Sequence, residues 1–272
     1  MAKQGSIKHY RQTGASPAPQ SLPYGEIAVS KSGILYAGNE NNVPIGMYGA
    51  NLLDNTDFAH PINQRNVSGT ITAAGYFIDR WKLVSGSVAL TANGLQLNGT
   101  IAQILEFAAG TDTTARVGMY SGTSTATYNN NDKTFTLTST GGVIGWAKLE
   151  KGSVATPYVS KGYGAELAEC EFYFQRISFT EATCISQGNG DILTLLPYKR
   201  MRIAPTTSVP ANSKYTYTDG EKDYTIYYVF VQFYHKSNDT AVFKMKINDQ
   251  PNYPIGKVGM VYGGNLDLSA DL

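Results

Sequence analysis

Carboxylates are the side chains of this 272-residue chain that could best do chemistry. Two carboxyl groups on opposite sides of a sugar bond can hydrolyse a glycoside, because one protonates the leaving group while the other attacks or activates water. The candidates for such a pair are Asp54, Asp57, Asp79, Glu106 and Glu150. They would make the chain a polysaccharide depolymerase, which is one alternative for its function.

Structural roles account for these carboxylates more simply. Asp79 and Arg80 directly precede Trp81 and have the form of a structural ion pair or a turn cap. Asp54 and Asp57 share a loop with two asparagines, and such residues commonly form Asx turns. The same loop could hold Ca²⁺, but the twelve-residue calcium-binding pattern is not met. We therefore predict that the chain is not an enzyme and has no metal site.

Other catalytic and metal-binding patterns are missing from the sequence. His9, His60 and His235 are far apart and lack the spacing of metal ligands. No G-x-S-x-G turn supports a serine nucleophile. Cys170 and Cys184 are expected to be buried thiols, although a disulfide between them is sterically possible. No cofactor is predicted.

Composition argues against a strong electrostatic partner. The formal net charge is +1, and charged residues make up 16% of the chain against roughly 25% in ordinary soluble proteins. We therefore predict no nucleic-acid binding. The first residues lack the apolar core of a secretory signal, and residues 224–234 are too short and polar to span a bilayer, so no membrane insertion is expected. The 19 tyrosines suit a β protein partly covered by partners.

Aromatic side chains are the best candidates for ligand contact. A dense group in the second half of the chain is predicted to bind the receptor, and its members are Tyr215, Tyr217, Tyr224, Tyr227 and Tyr228. Tyr227 and Tyr228 are adjacent and must point to opposite faces of a strand, so one of them is exposed or meets a partner chain. A subunit contact is the alternative for this group. Trp81 and Trp146 could stack on sugars, but framework positions favour the core.

The basic cluster at residues 199–202 has the sequence Lys-Arg-Met-Arg. It could contact an anionic cell-wall polymer. A solvated strand face or an ion pair between subunits explains it more simply.

The elements that position these residues are mainly β strands. Short strands with Gly or Asn turns predict a jelly-roll-like β-sandwich. The strands expected in the first half are residues 76–84, 87–91, 94–98, 101–107, 133–139 and 143–150. A second antiparallel β domain follows, with strands expected at residues 191–196, 206–210, 215–218, 223–235, 241–248 and 257–262. One helix is predicted at residues 163–177, with Leu167, Cys170, Phe174 and Ile177 as its apolar stripe.

The N-terminal region reads as an attachment segment. The first ~20 residues are polar and contain Pro and Gly, which is typical of an extended arm that orders on a partner. Apolar runs at residues 26–29 and 34–36 flank a Gly-bearing turn and predict a hairpin. A hairpin this small is marginal alone, so it should pack on a neighbouring subunit or on a larger assembly.

Two segments carry a family resemblance. Residues 51–83 contain N-x-x-F, P-x-N-Q-R and G-Y-x-x-D-R-W in this order, and residues 145–177 contain W-x-K-L-E-x-G-S-V-A-T-P and G-x-E-L-A-x-C-x-x-Y-F-Q. The matching residues of the first segment are Asn55, Phe58, Pro61, Asn63, Gln64, Arg65, Gly75, Tyr76, Asp79, Arg80 and Trp81. Those of the second are Trp146, Lys148, Leu149, Glu150, Gly152, Ser153, Val154, Ala155, Thr156, Pro157, Glu166, Leu167, Ala168, Cys170, Tyr173, Phe174 and Gln175. Together they resemble the carbohydrate-binding-like β-sandwich module of tail-fibre and receptor-binding proteins of tailed bacteriophages.

The resemblance implies a virion protein of the phage tail, made in the host cytoplasm, that attaches to a host-surface glycan without acting as an enzyme. We expect residues 1–50 to be the arm for virion attachment and trimerisation, residues 51–162 the sandwich, and residues 163–272 the helix with a distal β domain. The resemblance also implies a homotrimer that contacts other tail or baseplate proteins through the arm. A structural adaptor, baseplate or head-fibre protein without a receptor role is the main alternative.

Overall fold

The computed structural model describes residues 21–29, 35–38, 40–42, 44–47, 49–153, 155–178, 182–188, 191–210, 215–218, 221, 223–226, 228–236, 240–246 and 255–272. The chain is mainly β, with antiparallel sheets and, among these residues, a single helix, as predicted. It divides into two compact units, Met1–Glu166 and Leu167–Leu272. The described part contains no helix with the length and hydropathy needed to cross a bilayer.

A small antiparallel sheet opens the first unit. Its strands are β1 (Ile27–Val29), β2 (Leu35–Gly38) and β3 (Pro44–Met47), in that order. The predicted hairpin is confirmed by the pairing of β1 with β2, and β3 adds a strand that was not predicted. The turn expected between β1 and β2, like the arm at residues 1–20, lies outside the described residues.

A seven-stranded sheet forms the body of the first unit. Its strands are β4 (Thr70–Ile71), β5 (Gly75–Ile78), β6 (Trp81–Thr91), β7 (Gly94–Ile104), β8 (Thr113–Ser121), β9 (Ser124–Asn129) and β10 (Thr134–Lys151). The main path runs β4-β6-β7-β10-β8, with β5 paired to β6 and β9 to β10. Strand β10 is central: one edge pairs with β7 on both sides of a bulge between Thr140 and Gly142, while the other edge pairs with β9 and then with β8. The jelly-roll connectivity stays a prediction.

Alternating apolar residues build the core of this sheet. Phe135 and Leu137 are fully buried, as their alternation with threonines predicts. The indole of Trp81 is also fully buried and meets the rings of Phe58 and Phe135 edge-on, at centroid distances of 5.1 and 6.0 Å. The core role expected for Trp81 is confirmed. Strands β8 and β9 were not predicted, because Thr, Ser and Gly dominate them and their apolar signal is weak.

The helix is shorter than predicted. Helix α1 spans Tyr163–Glu171, and the next strand, β11, spans Phe174–Ser178. The prediction that the helix continues through residue 177 was wrong, because the aromatic and β-branched residues after α1 pair with a strand at the C-terminal end of the chain. Arg176, which falls inside the predicted helix range, lies on β11 and donates two hydrogen bonds of 2.6 and 2.7 Å to the Asp267 carboxylate.

The second unit contains two antiparallel sheets. The smaller one has the order β11-β20-β14, where β14 is Thr206–Ser208 and β20 is Asn265–Ser269. The larger one has the order β16-β15-β19-β12-β13-β18-β17. Its strands are β12 (Ala182–Gly188), β13 (Asp191–Pro197), β15 (Tyr215–Thr218), β16 (Asp223–Ile226), β17 (Tyr228–Lys236), β18 (Thr240–Lys246) and β19 (Ile255–Tyr262). The long strand predicted at residues 223–235 is therefore two strands.

One core joins the two sheets of the second unit. It includes Ile192 and Val261 from the larger sheet and Leu266 and Leu268 from the smaller one. Cys170 and Cys184 are both free thiols and both buried. Burial raises the pKa of Cys184 to about 12, so this thiol stays protonated and unreactive at neutral pH.

Candidate functional site

The two segments that carry the family resemblance lie against each other in the first unit. The amide of Phe58 donates to the carbonyl of Gly145 at 2.9 Å, and the amide of Leu52 donates to the carbonyl of Leu149 at 2.8 Å. Asp57 and Trp146 form an isolated antiparallel bridge between these contacts. Residues almost a hundred positions apart in the chain thus form one framework along the C-terminal half of β10.

Asparagine side chains fasten this framework. The Asn51 carboxamide donates to the carbonyl of Ala147 at 3.0 Å and accepts from the amide of Leu149 at 3.1 Å. Asn55 is buried with a φ of 54°, in the left-handed region that Asn tolerates better than most residues. Its carboxamide exchanges two hydrogen bonds with the backbone of Ile62, at 2.7 and 2.9 Å. Asn51 and Asn55 therefore hold separate segments of the fold together, in addition to the local Asx turns that were predicted for this loop.

Ion pairs engage three of the five candidate catalytic carboxylates. Asp54 accepts from Arg80 Nε at 2.9 Å and lies 3.7 Å from Lys161 Nζ. Asp79 is fully buried, accepts from the amide of Gln64 at 2.8 Å and lies 3.8 Å from Arg65 Nε. Asp79 and Arg80 thus each take part in an ion pair, but with partners in other segments, Arg65 and Asp54, and not as the neighbouring pair that was predicted.

Glu150 belongs to a third buried pair. Its carboxylate lies 2.9 Å from Lys148 Nζ, and both side chains are about 2% exposed or less. Thr156 completes the group, because its amide and hydroxyl donate to Glu150 while its carbonyl accepts from Lys148. The motif W-x-K-L-E-x-G-S-V-A-T-P therefore encodes a charged clasp that holds the segment after β10. Of the two remaining candidates, Glu106 is half-buried in the loop after β7, and Asp57 lines the pocket described below.

Trp146 lies in a stack instead of the core. Its ring is half-buried and parallel to that of Tyr158, with a centroid distance of 4.7 Å and an interplanar angle of 3°. The Arg116 guanidinium lies 5.6 Å from the indole centroid. A Cβ on Gly118 would fall 2.0 Å from the indole, so the glycine makes room for the ring. The core role expected for Trp146 was wrong, but its faces are occupied by these neighbours.

An open pocket of about 350 Å³ lies beside this framework. The loop after Asn51 and the segment that leads into α1 supply its walls. The lining residues are Asn55, Asp57, His60, Ser160, Gly162, Tyr163 and Glu166. His60 and Tyr163 stand at its rim, with 81% of the His60 side chain and 65% of Tyr163 exposed. The imidazole Nδ1 of His60 is 3.4 Å from the Asp57 carboxylate.

Glu166 forms the buried wall of the pocket and was not predicted as a site residue. It is 3% exposed, and burial raises the pKa of its carboxyl group. One oxygen accepts from the amide of Asn55 and the other from the hydroxyl of Thr56 at 3.4 Å. In the sequence, Glu166 lies near the start of the predicted helix at residues 163–177. The G-x-E-L-A motif was the available signal, but the motif did not say which loop the carboxylate would reach.

Two of the five predicted tyrosines lie in a core and not on a surface. Tyr215 and Tyr217 are at most 1% exposed and belong to the core of the second unit, so they were wrong as receptor-contacting residues. The Tyr215 hydroxyl donates to the carbonyl of Asn265, and burial raises its pKa. Tyr224 is half-buried and stacks on Tyr217 at a centroid distance of 5.9 Å. Alternation along β15 buries both of its tyrosines on the same face.

The other members of this group fall outside what the structure describes. Tyr227 is not among the described residues, and Tyr228 is described only as part of the β17 backbone. The predicted assignment of these two residues stays a prediction.

The basic cluster at residues 199–202 divides between exposed and buried side chains. Lys199 pairs with Glu171 at 2.5 Å, Met201 is fully buried, and Arg202 Nε donates to the carbonyl of Ala270 at 3.2 Å. Lys199 and Arg200 are exposed, whereas Met201 and Arg202 make internal contacts in the second unit. Within the described part of the chain, no three His, Cys, Asp or Glu side chains gather as metal ligands.

Comparison with known proteins adds no relative. No family model matches the chain, and neither the curated proteins nor the solved structures contain a significant match to it.

Proposed function

We propose that this chain is a non-enzymatic virion protein of a bacteriophage tail, a tail fibre or receptor-binding protein, that attaches to a glycan on the host surface. The proposal rests first on the two sequence segments that resemble the phage β-sandwich module. The observation that carries it furthest is that these segments dock on each other and leave a polar, aromatic-rimmed pocket at their junction. The motif residues build the support, and the pocket is the place for a ligand.

The pocket has the chemistry that sugars require. A carboxylate, an imidazole and hydroxyl groups form hydrogen bonds with sugar hydroxyls, and an exposed aromatic ring packs on the apolar face of the sugar. Asp57, His60 and Ser160 supply the polar groups, while Tyr163 supplies the ring. The site is shallow and open, so we expect weak binding to one sugar or a short segment of polysaccharide. Several copies on one particle would raise avidity by ~10²–10⁴ without a new contact.

We propose binding without catalysis because most of the candidate carboxylates are engaged in ion pairs or half-buried. Asp54, Asp79 and Glu150 each form an ion pair within the fold. Loss of such a partner would therefore destabilise the folded state and would not remove a group that a reaction needs. A hydrolase needs two carboxyl groups free to meet the sugar bond. In this chain most of the candidates are structural.

Binding of the purified chain to host-surface polysaccharide tests the proposal. Replacing Tyr163 with Ala should weaken binding about tenfold or more, which corresponds to ~1.4 kcal/mol. Tyr120→Ala is the matched control, because Tyr120 is 67% exposed on β8 and does not line the pocket. Equal affinity of the two variants would reject the pocket. If the unaltered chain neither binds host cells nor blocks phage adsorption, the scaffold alternative, an adaptor, baseplate or head-fibre protein, takes its place.

The proposed attachment function also gives a role to the N-terminal part of the chain. The N-terminal arm and hairpin would join the protein to other tail or baseplate proteins, and the protein would act as a homotrimer on the virion. Deleting residues 1–20 should leave the sandwich folded but prevent incorporation into particles. Normal incorporation of the truncated chain would remove the arm from this role.

Hydrolysis of the glycan is a second candidate function, and one observation favours it. Asp57 and Glu166 line the same pocket, and a carboxyl group with a raised pKa is the form that a general acid needs. Incubation with host polysaccharide should then release reducing ends, and Glu166→Gln should abolish the release. Absence of reducing ends from the unaltered chain would leave binding as the function.

A further inference from the structure

The larger sheet of the second unit has a buried face and an exposed face. The buried face carries Cys184, Ile192 and Val261, which are at most 3% exposed. Their neighbours along the same strands point the other way and are apolar as well. Ile185, Leu195, Val258 and Met260 are 42%, 60%, 61% and 44% exposed. We call these four side chains, together with half-buried Leu193 and Val242, the outer apolar face.

Strand register places these side chains next to one another. Ile185 on β12 lies opposite Val258 on β19 and opposite Leu193 on β13. Leu195 on β13 lies opposite Val242 on β18. The apolar residues therefore run across four adjacent strands, β19-β12-β13-β18, instead of being scattered singly.

Exposed apolar side chains of the second unit are concentrated in this face. The described part of the second unit has five large, exposed apolar side chains, and four of them are in the outer apolar face. Single exposed apolar residues are normal, whereas contiguous groups mark interaction surfaces. The inner face already suffices for folding, since a core covers it. A partner is the simplest reason for the outer face to be apolar.

Charge and size indicate which partner fits. Lys244, opposite Leu193, is neutralised by Asp191 at 2.6 Å, so the described side chains of this face carry little net charge. The whole chain has a net charge of +1, and identical copies can therefore approach without strong repulsion. A sheet area of four strands spaced ~4.8 Å apart, with about six residues per strand that each rise ~3.4 Å, is ~400 Å². That is about half of the ~800 Å² per partner in a standard interface, which leaves the usual polar rim.

We propose that the outer apolar face is the surface through which copies of this chain associate. The sheet that carries it also ends in β17, a nine-residue edge strand with the sequence YVFVQFYHK. Natural proteins rarely leave a long apolar edge open, because it pairs readily with other strands. Face and edge belong to one sheet, and both suit contact with a further copy. Association through this face does not depend on the glycan pocket, which belongs to the first unit.

Sedimentation velocity of the full chain tests the proposal. The unaltered chain should sediment as an oligomer. Val258→Lys should raise the dissociation constant at least tenfold, because it places a charge in the apolar contact. Val84→Lys is the matched control, since Val84 is 50% exposed on β6 of the first unit, and it should assemble normally. A monomeric unaltered chain, or a Val258→Lys variant that assembles normally, would overturn the proposal.

A cysteine variant covers the case in which Val258→Lys fails to fold. Both native cysteines are buried, so a thiol introduced by Val258→Cys should react selectively with a short bismaleimide. Covalent dimers should form from this variant at low protein concentration and not from Val84→Cys. Equal yields from the two variants, or none from Val258→Cys, would show that copies do not meet at this face.

Discussion

Replacing Lys148 with Met should unfold the first unit at a much lower denaturant concentration. The ammonium of Lys148 lies 2.9 Å from the Glu150 carboxylate, and the two side chains are 2% and 1% exposed. Met keeps most of the alkyl length but removes the charge and its hydrogen bonds to Thr156 and Pro157. The variant therefore leaves a buried carboxylate without its cation.

The magnitude follows from this burial. Breaking a buried ion pair by removing one partner costs about 3–5 kcal/mol. A domain is stable by only about 5–15 kcal/mol, so the loss is a large fraction of the total. For a domain of this size, 1 kcal/mol shifts the melting temperature by about 2–4 °C, which gives a decrease of about 6–20 °C.

Tryptophan fluorescence is the suitable assay. The chain has two tryptophans, Trp81 and Trp146, and both lie in the first unit, so the signal follows the unit that contains the clasp. Lys151→Met is the matched control, because Lys151 is on the same strand but exposed. Its change in unfolding free energy should stay within about 0.5 kcal/mol.

A double variant separates the ion pair from lost packing. Lys148→Met combined with Glu150→Gln should lose less stability than the sum of the two single variants, since the second change removes the unpaired charge. Unfolding of Lys148→Met and Lys151→Met at the same urea concentration would refute the reasoning. The clasp would then be an incidental contact and not a framework element.

Two further predictions concern the stack and the pocket. Gly118→Ala should lower the free energy of unfolding by about 1–3 kcal/mol and shift the fluorescence spectrum, because the new Cβ would lie 2.0 Å from the indole of Trp146. Gly145→Ala is the control and should change little, since the atoms nearest to its new Cβ are 3.6 Å away. Equal melting temperatures of the two variants would contradict this prediction. Burial raises the pKa of Glu166 above its unfolded value, so its contribution to stability is present below about pH 4.5 and is lost as pH rises through the folded pKa. In urea titrations, the unfolding free energy of Glu166→Gln should therefore rise relative to that of the unaltered chain as the pH is raised above 4.5. If the difference in unfolding free energy between the two proteins is the same at every pH, burial does not raise the pKa of Glu166.

Fold class could be predicted from the sequence because strand signals are local. Alternation of apolar residues with threonine places Phe135 and Leu137 in the core without knowledge of the rest of the chain. The same logic failed for the helix end. Phe174 and Ile177 fit a helical stripe, but β20 offers them a hydrogen-bonded ladder from about ninety residues away. A local pattern contains no information about that distant strand.

The candidate site could be predicted only in part. The motif residues were visible in the sequence, but their roles depend on contacts across the fold. Asp54, Asp79 and Glu150 have the chemistry of catalysts, and their burial beside cations makes them structural. Glu166 has the sequence context of a helix start, and its contact with Asn55 makes it a pocket wall.

The sequence by itself determined a β protein with low charge, two motif segments and no metal-binding pattern, because composition and periodicity are properties of neighbouring residues. Only the tertiary structure decided which aromatic side chains are exposed. Tyr215 and Tyr217 looked like receptor contacts and are core, while Ile185, outside every predicted strand, and Val258, inside one, form an exposed face. Both outcomes depend on which side of a sheet is covered, and that is fixed by pairing between distant strands.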